Sequence, residues 1–146
     1  MRLFGRNDTS LFAMPAEIGE IQHFCFHYRV GNYMYGYGEF VLELYEDGYA
    51  VKVQKVGSGE VCESAVGEGL ARKLESFLRE KKVGRWNGFD GNDKFVLDGK
   101  DFSLNVRFAD GSRLEARGYA VFPKDFGEVR DGLEEMFLPY ASEDKE

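Results

Sequence analysis

His23, Cys25 and His27 alternate along the run IQHFCFHYRV. Alternate residues of a β-strand share a face, so two neighbours of this HxCxH run could ligate one zinc ion. The outer pair would stand roughly 13 Å apart at about 3.3 Å per residue, too far for all three to hold one ion. The two histidines are the only ones in the chain, so a site would need other ligands. The plain reading is of polar residues on the outer face of a strand. His23 and Cys25 are weak metal candidates, and no cofactor is expected.

A second acidic and glycine-rich stretch, Asp90-Gly91-Asn92-Asp93, has the composition of a calcium loop but not its order. Lys94 and Asp101 fall at the fifth and twelfth places, where an oxygen ligand and a glutamate are required. A turn is the better account. Paired carboxylates could serve glycoside hydrolysis, and Glu39, Glu43, Asp98 and Asp101 are available, but spacing alone gives no distance between them. Asp90, Asp93 and Asp98 are the carboxylates of a small-hydrolase alternative. There is no Gly-x-Ser-x-Gly elbow, P-loop or dinucleotide fingerprint, and no Ser or Cys has an evident base and orienting group. No residue is assigned a catalytic role.

A third group is GNYMYGYG, residues 31–38, in which glycines are interleaved with Tyr33, Met34, Tyr35 and Tyr37. Such a loop presents amphipathic rings on a pliable backbone, as recognition surfaces do. It reads equally as a strand extension packing over an open sheet edge. Tyr33, Tyr35, Tyr37 and the single tryptophan, Trp86, are the candidate ligand-binding residues.

The elements that must position these residues follow from periodicity. In residues 21–30, Phe24, Phe26, Tyr28 and Val30 share one face and the HxCxH residues with Arg29 the other. Residues 40–45 and 49–56 form a hairpin around Asp47-Gly48; with those two as the loop, Leu44 faces Val51, Leu42 faces Val53 and Glu43 faces Lys52. Residues 57–63 are a turn with a possible edge strand. Leu70, Leu74, Phe77 and Leu78 have helical spacing, predicting a helix over 66–82 with Ser64 as a candidate cap and Gly84 as its stop. Trp86 and Phe89 flank an Asn87-Gly88 turn pinned to the core by its rings, and residues 94–97 form a short strand.

Residues 98–128 are the most strongly patterned part. Phe102, Leu104, Val106 and Phe108 alternate, as do Leu114, Ala116 and Gly118 beyond the turn. A two-residue Asp110-Gly111 loop would mix the faces; an Ala109-Asp110-Gly111 loop with Gly111 left-handed pairs Val106 with Leu114 and Leu104 with Ala116. Asp125 stands three residues before Glu128, a capping-box pattern, and Phe126, Val129, Leu133, Met136 and Phe137 continue as a helix to Pro139.

Together these predict one α+β domain: an antiparallel sheet of five to six strands in β-β-β-α-β-β-β-α order, with two helices on one face and Trp86 and the Phe122-Pro123 corner locking the crossovers. Residues 1–20 form an arm, 21–140 the domain and 141–146 a solvated tail. The 146 residues suffice to bury roughly 70% of the unfolded chain's surface without a metal or disulfide. A hydrophobic share of 43% with 15% aromatic residues argues against disorder.

Nineteen basic against twenty-six acidic residues leave a net charge of −7, which disfavours nucleic acid and anionic membrane as partners. The local exception, Arg72, Lys73, Arg79, Lys81, Lys82 and Arg85, reads as a solvated helix face complementing the helix dipole. Cys25 and Cys62 have no spacing that demands a disulfide. The first residues lack a signal peptide's apolar core and no run approaches membrane-spanning length, so a soluble, cytoplasmic protein is expected.

The motifs Trp86-Asn87-Gly88-Phe89-Asp90, Val96-Leu97-Asp98-Gly99, Phe102-x-Leu104, Asp110-Gly111, Gly118-Tyr119 and Phe122-Pro123, followed by an amphipathic helix, resemble a family of uncharacterised bacterial proteins. That family is common in gut Firmicutes and often attached to secreted or lipoprotein chains. The resemblance covers roughly residue 21 to the C-terminus and is most specific over 86–123. It implies the domain limits and no activity, and this chain departs from the exported members in lacking a leader. The function expected is a non-catalytic binding or protein-interaction module using the tyrosine-rich loop and a sheet edge. Its partner is an unidentified protein or small molecule, and self-association through a sheet edge is a further option. The alternatives are the acidic hydrolase and a divalent-metal protein.

Overall fold

The computed structural model describes residues 14–30, 37–93, 95 and 99–141. Seven strands form one sheet: β1 (Ile21–Arg29), β2 (Tyr37–Tyr45), β3 (Gly48–Gln54), β4 (Cys62–Val66), β5 (Asp90–Asn92), β6 (Asp101–Phe108) and β7 (Arg113–Tyr119). Helix α1 (Glu68–Glu80) follows β4 and α2 (Phe126–Phe137) follows β7. The spatial order is β4-β3-β2-β1-β6-β7-β5. Every pairing is antiparallel except β5 on β7.

The α+β class stands, with more strands than the alternation predicts. The possible edge strand after residue 57 is present as β4, which runs three residues further than expected, so the first half runs β-β-β-β-α. Ser64 is therefore paired with Val51 in the sheet instead of capping a helix, and α1 starts after Gly67. The parallel contact of β5 corrects the purely antiparallel expectation. Residues 94, 96 and 97 of the predicted short strand lie outside the described residues.

Alternation decides which face is buried. Phe24, Phe26 and Tyr28 of β1, Phe40 and Leu42 of β2, Val51 and Val53 of β3, Phe102, Leu104 and Val106 of β6, and Leu114 and Ala116 of β7 all enter one core. Ile21, out of phase with them, joins the core because the β1–β6 register slips between Ile21 and His23; the extra residue of a bulge turns its neighbour to the other face.

Both helices contact that face. Phe137 of α2 stacks on two strand rings, 5.2 Å from Phe40 and 5.6 Å from Phe24, nearly parallel to each. Tyr28 donates to the Glu134 carboxylate of α2. From α1, the buried Glu75 accepts the Ile21 amide at 2.9 Å, and Arg72 holds both Glu75 (3.2 Å) and the Tyr49 hydroxyl (3.0 Å). Burial of an unpaired carboxylate is costly, and these partners satisfy it.

The β6–β7 hairpin has the predicted register, Val106 opposite Leu114 and Leu104 opposite Ala116. Its loop is Ala109-Asp110-Gly111: Gly111 has φ 90° and Phe108 closes the loop by donating to the Ser112 carbonyl. The β2–β3 hairpin turns one residue earlier than predicted, at Glu46-Asp47, which pairs Leu42 with Val51 and Phe40 with Val53. The shift of two keeps every side chain on its expected face. It arises because Gly48, at φ 130°, is the first residue after the turn rather than part of it.

Asp125 does precede α2, but at φ 65° its carboxylate makes no cap hydrogen bond, so the predicted capping box with Glu128 does not form. No helix among the described residues is long and apolar enough to cross a membrane.

Candidate functional site

Because both helices occupy one face of the sheet, the polar positions of the central strands form the other. The pairings set them in four cross-strand rows: Tyr37, Arg29 and Asp101; then Glu39, His27, Ser103 and Arg117; then Val41, Cys25, Asn105 and Glu115; then Glu43, His23, Arg107 and Arg113.

Contacts knit this array together. The Tyr37 and His27 rings lie 4.7 Å apart at 32°. Arg29 pairs with Asp101 at 2.8 Å. His23 Nδ1 bonds the Glu43 carboxylate, which Arg107 also approaches at 4.0 Å. Cys25 donates to Glu39 at 3.6 Å. Burial, with the charge and hydrogen bond of Glu39 behind it, pushes the Cys25 thiol up to about 12. It stays protonated near neutrality, where a thiol is a poor nucleophile.

His23 and Cys25 are thus neighbours on one face, as the alternation requires, but each is committed to a different glutamate. Among the described residues no group of three or more His, Cys, Asp and Glu side chains is placed to hold a metal ion. Cys25 faces outward and Cys62 inward on opposite sides of the sheet, and the two are not joined in a disulfide.

Of the acidic trio, Asp90 is gripped by the Arg117 guanidinium through two bonds of 3.2 Å. Asp93 accepts the Phe95 amide at 3.1 Å. Asp98 lies outside the described residues. A depression of about 500 Å³ on this side of the sheet is bordered by Phe89, Asp90, Ser103, Asn105, Glu115 and Arg117; it takes in Asp90 but not Asp93.

Of the ring candidates, Tyr33 and Tyr35 lie outside the described residues. Tyr37 opens β2 on the uncovered face. Trp86 is on the opposite side, packed on Phe102 (6.0 Å) and Phe126 (5.8 Å), so it cannot share one surface with Tyr37. The loop carrying the tyrosines joins two interior strands, not an edge strand.

The topology also sets what lies near that loop. The ends of β1, β5 and β7 and the beginnings of β2 and β6 lie at the same end of the sheet. The β5–β6 connection brings Phe95 there, 92% exposed, and the segment after β7 brings Val121, 38% exposed and set against Gly91 and Phe89 on the helix side of β5; Tyr37, also 38% exposed, is at the same end on the uncovered face of β2. From β2, which carries Tyr37, to β5 is four strand spacings, about 19 Å. Sequence reasoning missed Phe95 as a surface residue because its apolar type suggested a buried strand. The cross-strand partners Arg29, Asp101, Arg107 and Arg117 were legible only as polar alternates, since pairing them requires the strand order.

No family model and no curated protein matches this chain.

Proposed function

We propose that the protein is a non-catalytic module that binds another protein through the loop end of its sheet, with the tyrosine-rich loop at the centre of the contact. The observation that carries this reading is that Tyr37, Phe95 and Val121, exposed apolar or amphipathic side chains, all lie at one end of the sheet. Phe95 is the sharpest of them. An almost fully exposed phenyl ring gains nothing for folding, whereas aromatic rings dominate the centres of protein interfaces. The Arg29–Asp101 pair beside Tyr37 is the polar border that such a contact takes.

The sequence reading named the tyrosine loop and a sheet edge. On our reading the second component is the neighbouring loop tips, because the tyrosine loop joins two interior strands. The test is to compare the wild-type chain with a Tyr33→Ala, Tyr35→Ala, Tyr37→Ala variant and with Phe95→Ala as baits, after identical circular dichroism spectra and Tm have shown each to be folded. The expected result is that partners retained by the wild type are lost from the triple variant and weakened for Phe95→Ala. Retention of every partner by both folded variants would sink the reading.

A further inference from the structure

We infer a second, separate site on the helix side of the sheet: a cleft that binds a small organic oxyanion, a phosphate or carboxylate carried on an aromatic body. The cleft, about 700 Å³, lies between the end of α1, the turn containing Trp86 and the segment leading into α2. The two most distinctive motifs of the sequence meet in it, since its floor is made by Trp86, Phe89 and Phe122. Its rim carries four cations, Lys81, Lys82, Arg85 and Lys124, and three carboxylates, Glu80, Asp125 and Glu128.

The basic cluster read from the sequence as a solvated helix face is divided by the structure. Arg72 is bound to Glu20, Glu75 and Tyr49, Arg79 donates to the Ile18 carbonyl, and Lys81 pairs with Glu128 at 3.5 Å. Lys82 and Arg85 lie past the end of α1 and line the cleft, where they are joined from the other wall by Lys124. These three side chains have no carboxylate partner among the described residues, although the chain as a whole carries an excess of seven negative charges. Against them stand Glu80 and Asp125, carboxylates of the same lining with no ion pair among the described residues, so the cleft keeps a small excess of positive charge over an apolar floor, which suits an anion with an aromatic body.

The backbone is shaped around the same cleft. Among the described residues three non-glycine residues have positive φ, and two of them, Lys82 (59°) and Asp125 (65°), are wall residues. The third, Ala120 (63°), begins the segment that delivers Phe122. A lysine held where glycine is more readily accommodated is a residue kept for its side chain.

Trp86 is the only tryptophan, so all tryptophan emission comes from a ring in the floor of this cleft. The experiment titrates the whole chain with phenyl phosphate and with benzoate, using phenol as the uncharged control. The expected result is a saturable change in Trp86 emission with at least one of the two anions; which one responds identifies the headgroup. Phenol should give a response at least tenfold weaker. Lys82→Gly, which removes the charge and relaxes the backbone, should weaken binding tenfold or more with Tm unchanged or raised, and Lys124→Gln should weaken it on an unstrained residue. No saturable response to either anion, an equal response to phenol, or unaltered affinity in both variants would overturn the inference.

Discussion

Cys25 lies on the uncovered face of β1, its thiol against Glu39, and its protonation is set by that position. Burial first, then the glutamate, raise its pKa from 9.0 to about 12. A group whose native pKa lies above its unfolded value contributes stability that is complete below the unfolded value and is lost as pH rises through the native one. The stability of the fold should therefore fall between pH 9 and about 12, and Cys25→Ala should reduce that slope. Tyr28, whose hydroxyl burial and Glu134 also push up, acts in the same direction. The direct check is the rate of thiol alkylation at pH 8. It should be slow for Cys25 and faster in Glu39→Gln, which removes the charge and weakens the acceptor; equal rates would show that Glu39 does not govern the thiol. At this scale the sequence was legible where one residue's backbone preference suffices. Gly111 announced its left-handed position and hence the register of β6 on β7. Asp125 misled, because a capping box needs an extended Ncap backbone, and the left-handed conformation of Asp125 depends on the segment that reaches it from β7.

Among the elements, the segment before β1 shows how a stretch without periodicity can still be fixed. The Ala16 amide donates to the Gly84 carbonyl at 3.0 Å, Asn87 donates to the Met14 carbonyl at 2.9 Å, and Arg79 holds the Ile18 carbonyl. All of these are long-range contacts to the end of α1 and the turn beyond it, so no local pattern encodes them. Gly84 is the closest point. A Cβ built there would stand 2.1 Å from the Ala16 carbonyl oxygen, and the backbone on both sides leaves no flexible side chain to yield. Gly84→Ala should therefore push the segment off α1, at a cost of about 1–3 kcal/mol. Urea unfolding measures the loss, and faster proteolytic cleavage near residue 16 in the variant would locate it. The sequence marked Gly84 only as a helix stop. Its role as a contact surface for a distant segment was not readable from its neighbours. The β2–β3 hairpin makes a similar point: its faces followed from alternation, but its loop did not, because registers two residues apart bury the same side chains and differ only in which residue takes the positive φ.

For the whole molecule, alternation in the sequence was enough to establish a sheet with one buried face, because every strand of ordinary length carries its own period. It was not enough to give the strand count or order. β5 is three residues, Asp90–Asn92, with no apolar repeat, and it is a strand only because β7 offers an edge to it. The site was legible to the same extent: the tyrosine loop and the HxCxH row could be named, whereas the company they keep depends on strand order. That order places β1 at the centre and draws the ring residues from every layer into one continuous aromatic core. Phe137 stacks on Phe24 and Phe40, while Phe126, at the other end of α2, touches Phe26, Phe102, Phe122 and Trp86. Helix α2 is thus bonded by rings at both ends to the middle of the sheet, and no part of the core can separate without exposing another. Phe137→Ala should cost about 3–5 kcal/mol, since the flanking rings belong to strands held in the sheet and cannot close over the space. Unfolding should remain a single transition, with the midpoint lowered and the m-value unchanged. Trp86 fluorescence and far-ultraviolet circular dichroism should report the same midpoint in the variant. A Trp86 transition preceding the loss of β-structure would mean that the two ring clusters are separate units, and that α2 can leave the sheet from one end.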